Sequence, residues 1–167
     1  MKLYIKQKMF SLKEKFYIYD SYGNERFYAV GKVFSWGKKF KLYTSNGQEL
    51  VYVHEKVLSW LPKYHIEMNG KEVAEVDKKW SLFKKKLYVK GVDWNVKGDF
   101  LSHEYEITNS RRIIARIRKK WFTWADTYEI DIEDDKDVYL ALTVVLVIDA
   151  ILQDEITAAT TTTTTTH

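Results

Sequence analysis

The stretch from Val138 to Leu152 constrains the fold more than any other part of this 167-residue chain. Thirteen of its fifteen residues are apolar, and only Thr143 and Asp149 interrupt the run. A helix that is apolar all round must be covered on every side, and the run is shorter than the about 20 residues that a membrane span requires. We therefore expect a helix at about residues 136–153 that is buried in the core of its domain.

The chain before this run repeats a short pattern, in which Lys-x-Phe-Ser and an apolar residue precede a second alternating segment. The first three copies begin at Lys8, Lys32 and Lys56, which are 24 positions apart, and looser copies begin near Lys79, Phe100 and Lys120. Each copy alternates apolar and polar side chains with period two on both sides of a short corner, as half-buried strands do. Turn signals such as Asn69-Gly70 separate the copies. Six copies of two strands predict about twelve strands.

Twelve meandering strands are too many for an open sheet, and closure into a barrel removes their edges. About eight strands already fill a barrel with their own side chains, so a wider barrel needs additional filling. The apolar helix supplies it, and the carboxylates of residues 133–137 are suited to capping its start. The predicted fold is mainly β, a closed antiparallel barrel of about 12 strands (six hairpin repeats) around a buried C-terminal hydrophobic α-helix. We place this single domain at residues 1–155.

Three further features concern the compartment and the tail of the chain. Residues 156–167 are rich in threonine and carry no apolar face, so we expect them to be disordered or derived from cloning. The chain has no cysteine, which excludes disulfides and thiolate metal sites. The first residues lack the apolar core of a signal peptide, so we expect a cytoplasmic monomer without a transmembrane span.

Several motifs together resemble the LURP-one-related family. They are the repeated Lys-x-Phe-Ser hairpins, the run from Gly98 to Thr108, the run from Lys119 to Tyr128, and the closing apolar helix. The resemblance implies the tubby C-terminal-like fold, which is also assigned to phospholipid scramblases: a twelve-stranded barrel around a central hydrophobic helix. It further implies two functional classes, because tubby-type domains are associated with phosphoinositide binding and have been linked with transcription.

The residue patterns of common enzymes are missing from the sequence. There is no Gly-x-Ser-x-Gly elbow and no Gly-rich phosphate loop, and the histidines lack close metal-ligating spacing. The acidic run that starts at Asp131 has no Gly at the sixth and no Glu at the twelfth position of a calcium loop, so helix capping explains it better. Asp149 is either a proton-active group inside the barrel or a structural carboxylate near its mouth. We expect no catalytic residue, no metal and no cofactor.

Basic residues are the strongest functional candidates. Residues 1–98 carry 20 Lys and Arg against 10 Asp and Glu, whereas residues 99–167 carry 7 against 13. The candidate anion-binding residues are Lys84, Lys85, Lys86, Arg112, Arg116, Arg118 and Lys120. Such clusters attract anionic lipid headgroups, and the corner residues Trp36, Trp60 and Trp124 would suit a headgroup boundary if exposed. The alternative is that the lysines form a solvated exterior and the tryptophans pack under the corners.

These observations favour a non-enzymatic binding or scaffold module that binds anionic phospholipid or phosphoinositide peripherally through a basic surface. The first alternative is a nucleic-acid-binding or transcription-associated module that uses the same basic and aromatic side chains. A protein-interaction domain is a further alternative, and so is insertion of the 138–152 helix into a membrane. Co-sedimentation with anionic vesicles, with single-stranded DNA as competitor, distinguishes the first two classes.

Overall fold

A closed antiparallel barrel surrounds one long helix, as the repeated pattern predicts. The computed structural model describes residues 1–6, 15–34, 37–56, 63–77, 86–120 and 127–163. The strands in these ranges are β1 (Lys2–Lys6), β2 (Lys15–Asp20), β3 (Glu25–Phe34), β4 (Gly37–Thr44), β5 (Glu49–Lys56), β6 (Lys63–Met68), β7 (Lys71–Asp77), β8 (Lys86–Lys90), β9 (Trp94–Asp99), β10 (Glu104–Thr108), β11 (Ile113–Lys120) and β12 (Thr127–Ile132). Each strand pairs with its neighbours in chain order, and β1 pairs with β12 to close the barrel.

The strands follow the predicted period of two. In β8, Leu87 and Val89 are buried while the residues between and beside them are exposed. The turn between β6 and β7 is Asn69-Gly70, and both residues have positive φ (52° and 71°). A two-residue turn with positive φ at both positions matches the twist of the flanking strands, which is why Asn-Gly favours it.

The helix α1 (Val138–Thr163) fills the barrel. A single 3₁₀ turn (Asp135–Asp137) precedes it, and the Asp134 side chain caps this turn by accepting a hydrogen bond from the backbone N–H of Lys136 at 3.1 Å. All side chains from 141 to 152 are buried, so the helix is covered on every side as its composition requires. No helix in the described part of the chain is long and apolar enough to span a membrane.

The helix differs from its predicted bounds of about 136–153. It begins two residues later, because residues 135–137 form the 3₁₀ turn, and its backbone continues to Thr163, into the threonine-rich segment. Extension of an existing helix fixes fewer dihedral angles per hydrogen bond than nucleation does, and the two alanines at 158 and 159 favour helix. Residues 164–167 lie outside the described part of the chain.

The two ends of the barrel differ. At one end, which we call the helix-entry end, β12 leads into α1 beside the turns that follow β2, β4, β6, β8 and β10. At the opposite end, which we call the corner end, β9 passes into β10 through a turn at residues 100–103. In that turn the N–H of His103 donates to the carbonyl oxygen of Phe100 at 3.2 Å, and His103 has a φ of 53°. Strand β8 begins at the corner end, and β9 and β11 finish there.

Candidate functional site

The basic side chains of β11 lie on the outside of the barrel. Ala115 and Ile117 are buried against the core, whereas Arg116 is half-buried and Arg118 is exposed. The alternation therefore separates an apolar inner face from a basic outer face on this strand.

Three of the predicted anion-binding residues, Arg112, Arg116 and Lys120, are already paired with carboxylates. Arg112 bonds to Asp137 beside the start of α1, and this hydrogen bond raises the pKa of the Arg112 guanidinium. Arg116 Nε lies 3.2 Å from Glu106 Oε1 on β10, and its guanidinium also bonds to Glu133.

Lys120 is paired in the same way. Its Nζ lies 3.1 Å from Glu129 Oε2 on β12, and the same carboxylate accepts a hydrogen bond from Tyr4 Oη at 2.7 Å. Burial alone would raise the pKa of Glu129, but the hydrogen bonds from Tyr4 and Lys120 hold it below its usual value. Three of the four predicted basic residues on or next to β11 are therefore neutralised by carboxylates of the same chain.

Two of the remaining candidates, Lys86 and Arg118, lie near the corner end. Lys86 on β8 is directly opposite Lys97 on β9, both are exposed, and neither has a carboxylate partner within 4.0 Å among the described residues. Arg118, also exposed, likewise has no ion pair in the described ranges. We call Lys86, Lys97 and Arg118 the corner-end basic patch; strand β10, with the exposed Glu104 and Glu106, lies between Lys97 and Arg118. Lys84 and Lys85, like the corner residues Trp36, Trp60 and Trp124, lie outside the described residues.

The interior of the corner end contains a polar cluster around Asp149. The Asp149 side chain is 6% exposed and is the only charged one on the buried part of α1. Its Oδ1 lies 3.2 Å from His103 Nε2, and its Oδ2 accepts a hydrogen bond from Tyr128 Oη. The His103 and Tyr128 rings stack with centroids 4.4 Å apart. Asp149 therefore obtains its partners from an imidazole and a phenol.

Two further polar atoms of this cluster are buried without a hydrogen-bond partner among the described residues. They are His103 Nδ1 and Tyr105 Oη. Burial, followed by the negative charge of Asp149, raises the pKa of both Tyr105 and Tyr128 well above the usual value. The phenols therefore remain neutral over a wide pH range, and Tyr128 keeps the proton that it donates to the carboxylate.

A cleft at the helix-entry end has a different character. It has a volume of about 590 Å³ and lies beside Tyr139 at the start of α1. Its charged groups are the carboxylates of Asp20, Glu25 and Asp135, the guanidinium of Arg26 and the ammonium group of Met1. Three negative and two positive charges give the cleft a slightly acidic lining, so the basic patch does not continue into it.

Almost the whole barrel matches a known protein family. The LURP-one-related family matches residues 1–149, from β1 into the buried part of α1. This chain belongs to the LURP-one-related family. It is 36% identical over 155 residues to the uncharacterized protein YxjI of Bacillus subtilis (strain 168), which covers 93% of this chain and 96% of that protein. A crystal structure of an Arabidopsis thaliana protein has a similar fold, with a TM-score of 0.63 at 20% identity over 89% of this chain and 90% of that one.

The two sequence runs that indicated the LURP-one-related family meet at the polar cluster. The run from Gly98 to Thr108 contributes His103 and Tyr105, and the run from Lys119 to Tyr128 contributes Tyr128. In this LURP-one-related barrel both runs therefore act on the same helix residue. His103 and Tyr128 contact the Asp149 carboxylate, and the negative charge of Asp149 raises the pKa of Tyr105. The arrangement holds a carboxylate and its donors in the core, next to a wall of apolar side chains.

One group on the outer face of this LURP-one-related barrel has no counterpart among the predicted sites. His54 on β5 is directly opposite His65 on β6, and their rings stack with centroids 5.2 Å apart and planes inclined by 15°. The two histidines are 11 positions apart, so no short motif links them. Their equal distance from the centre of the 57–62 corner is the signal that would have paired them, because hairpin strands pair symmetrically about their connection.

Proposed function

We propose that this LURP-one-related chain is a non-catalytic binding module that attaches peripherally to anionic phospholipid surfaces through its corner-end basic patch. The observation that carries this proposal is the pair Lys86 and Lys97. They are exposed, directly opposite each other across β8 and β9, and no described carboxylate pairs with either.

A like-charged cross-strand pair destabilises the free protein slightly, and an anionic headgroup between the two ammonium groups removes that repulsion. Each Lys or Arg near an anionic membrane contributes about 1 kcal/mol to binding. Arg118 lies on the same outer face near the same end of the barrel, and Lys84 and Lys85 directly precede Lys86 in the sequence. Together these residues could supply several kcal/mol of salt-sensitive attraction.

The ion pairs on β11 limit the contribution of the other candidates. Arg112, Arg116 and Lys120 are held by carboxylates, so a headgroup would have to compete with an existing partner for each. We therefore assign them a smaller share of the binding energy than Lys86, Lys97 and Arg118.

A nucleic-acid partner is the second candidate, and one observation favours it. The Tyr88 ring is 46% exposed on the outer face of β8, between Lys86 and Lys90. An exposed aromatic ring is suited to stacking a base while Lys86 contacts a phosphate, whereas Lys90 is already paired with Glu75 and Asp77.

Vesicle co-sedimentation tests the proposal. The protein is mixed with phosphatidylcholine vesicles with and without phosphatidylserine, at low and at physiological salt. We expect binding only to the anionic vesicles, and we expect it to weaken with salt. The double variant Lys86→Gln, Lys97→Gln should bind roughly thirtyfold more weakly, which corresponds to the loss of about 1 kcal/mol at each position.

The matched control is Lys71→Gln, which removes another exposed lysine, at the helix-entry end, and should leave binding unchanged. Equal binding by the double variant and the parent protein would overturn the proposal, and so would a complete lack of binding to anionic vesicles. If single-stranded DNA binds more tightly than vesicles and Tyr88→Ala abolishes that binding, the nucleic-acid alternative replaces it.

A further inference from the structure

We propose that His65, Glu72 and Glu75 form a binding site for a divalent transition-metal ion, such as Zn²⁺, on the outer face of β6 and β7. One ligand atom from each of the three side chains lies within 4.8 Å of the others. Ligand atoms around tetrahedral zinc are roughly 3.4 Å apart, given metal–ligand bonds of about 2.0–2.1 Å. The group therefore needs only a small contraction, and Glu72, whose side chain is 53% exposed, is free to rotate.

The strand register explains why these residues meet. His65 is directly opposite Glu75, but the register then shifts, so that Glu67 is opposite Glu72 and Val73 is the extra residue. Residues an even number of positions apart on a regular strand share a face. Without this bulge Glu72 would therefore face inward, as Ala74 and Val76 do. The bulge therefore brings two carboxylates three positions apart to the same outer face, which is how bulges redirect side chains at binding sites.

The imidazole of His65 is buried at the centre of the group, and only one of its two nitrogens makes a polar contact among the described residues. His65 is 9% exposed, and its Nε2 is buried without a hydrogen-bond partner in the described part of the chain. Its Nδ1 lies 3.0 Å from Glu72 Oε2, so the polar contact that it does make points into the group. Nδ1 is therefore the nitrogen that would bind the ion, at the place of its present contact with Glu72.

The surroundings orient the ligands as the outer partners of metal sites usually do. His54 stacks against the His65 ring and restricts its rotation. Lys63 and Lys90 donate to Glu75 Oε1 at 2.9 Å and 3.1 Å, which leaves Oε2 for the ion. Both hydrogen bonds are charge-assisted, and together they fix the orientation of the Glu75 carboxylate.

The donor set selects the class of metal. One imidazole nitrogen with two carboxylate oxygens suits Zn²⁺, Co²⁺ or Ni²⁺, whereas Ca²⁺ and Mg²⁺ prefer oxygen ligands alone. The chain contains no cysteine, so thiolates cannot compete for the ion elsewhere. Three protein ligands leave one position open for water or for a group of a partner molecule.

Calorimetric titration of the untagged full chain with Zn²⁺ tests this site. We expect one ion per chain, and at least tenfold weaker binding for both His65→Gln and Glu72→Gln. The control Glu49→Gln removes an exposed carboxylate paired with Lys41 on a neighbouring hairpin and should bind Zn²⁺ as the parent protein does. Visible absorption of the Co²⁺-loaded protein should show the intense bands of a four-coordinate site and should lose them in Glu72→Gln.

Because Glu72 is exposed, its Gln variant should keep the fold, which circular dichroism verifies, so lost binding cannot be attributed to unfolding. Zn²⁺ should also raise the melting temperature of the parent protein more than that of Glu72→Gln. The proposal is overturned if Zn²⁺ shows no saturable binding, or if Glu72→Gln binds with the parent affinity. Vesicle binding is measured separately, and its failure would leave this site unaffected.

Discussion

The imidazole of His103 and the carboxylate of Asp149 lie 3.2 Å apart inside the barrel, although 46 residues separate them in the sequence. His103 belongs to the turn between β9 and β10, and Asp149 belongs to α1, so the contact joins the barrel wall to the central helix. Tyr128 on β12 binds the other oxygen of the same carboxylate. A single polar residue in an apolar helix thereby connects that helix to two different parts of the barrel wall.

Removal of the Asp149 carboxylate should destabilise the protein. Asp149→Leu leaves the Tyr128 hydroxyl and the His103 ring nitrogen buried without their partner, at a cost of roughly 1–3 kcal/mol each. Asp149→Asn keeps an acceptor oxygen and should cost less. Urea unfolding of the two variants measures the difference. A leucine variant as stable as the parent would show that the cluster does not hold the helix.

Stability should fall at high pH because of the buried tyrosines. The pKa values of Tyr105 and Tyr128 are raised by burial and by Asp149, so above pH about 10 the unfolded chain releases protons that the folded chain retains. Each tyrosine then lowers the free energy of unfolding by up to about 1.4 kcal/mol per pH unit. Stability is unaffected by these groups below the unfolded pKa.

The variant Tyr105→Phe separates this effect from others. The Tyr105 hydroxyl has no hydrogen-bond partner among the described residues, so its removal should cost little at neutral pH and should flatten the decline above pH about 10. Urea unfolding at several alkaline pH values gives the slope, and tyrosinate absorbance follows the ionisation. An identical slope for variant and parent would contradict the assignment.

A charge in the middle of α1 should unfold the domain. Val145 is fully buried, and Val145→Asp places an unpaired carboxylate in the core at a cost of roughly 3–5 kcal/mol. The control Leu101→Asp introduces the same side chain at a position that is 52% exposed and should leave the melting temperature nearly unchanged. Thermal unfolding followed by circular dichroism compares the two, and equal melting temperatures would mean that the helix is not central to stability.

Gly98 should not tolerate alanine. Its φ is 140°, and a Cβ atom there would lie 2.6 Å from Tyr105 Cα and even closer to the Glu104 carbonyl oxygen. We expect Gly98→Ala to cost about 2 kcal/mol or more. Gly23 has a φ of 82° but no atom within 4 Å of such a Cβ. Gly23→Ala should therefore destabilise the protein by only about 1 kcal/mol, which is the cost of a left-handed backbone conformation for alanine. Chemical denaturation of both variants measures whether the difference arises from the clash.

Local pattern was sufficient to predict the architecture. The 24-residue repeat and the alternation of apolar residues predicted the strands, Asn69-Gly70 predicted its turn, and the apolar run predicted the filling of the barrel. These signals are short-range and each has one dominant physical cause. The end of α1 was less predictable, since helix extension past the barrel depends on a nucleus already formed by tertiary packing.

Local patterns could not predict the ion-pair and hydrogen-bond partners of these side chains, because the partners depend on the register between strands. The basic series on β11 was visible in the sequence, but its carboxylates come from β10, β12 and the segment before α1. Asp149 was visible as an isolated charge, yet its partners lie 46 and 21 positions away. The group around His65 depends on a bulge in β7, and a one-residue register shift leaves little mark on composition.

The closure of the barrel by β1 and β12 has a consequence for synthesis on the ribosome. Strand β1 pairs with β12 along its whole length but with β2 only at Leu3 and Tyr4, so the first strand made must wait for the last one to be translated. The helix that fills the interior emerges later still. A nascent chain therefore holds its hydrophobic strand faces uncovered until translation of the domain is nearly finished, and chaperones that bind such faces should delay its folding until α1 has emerged.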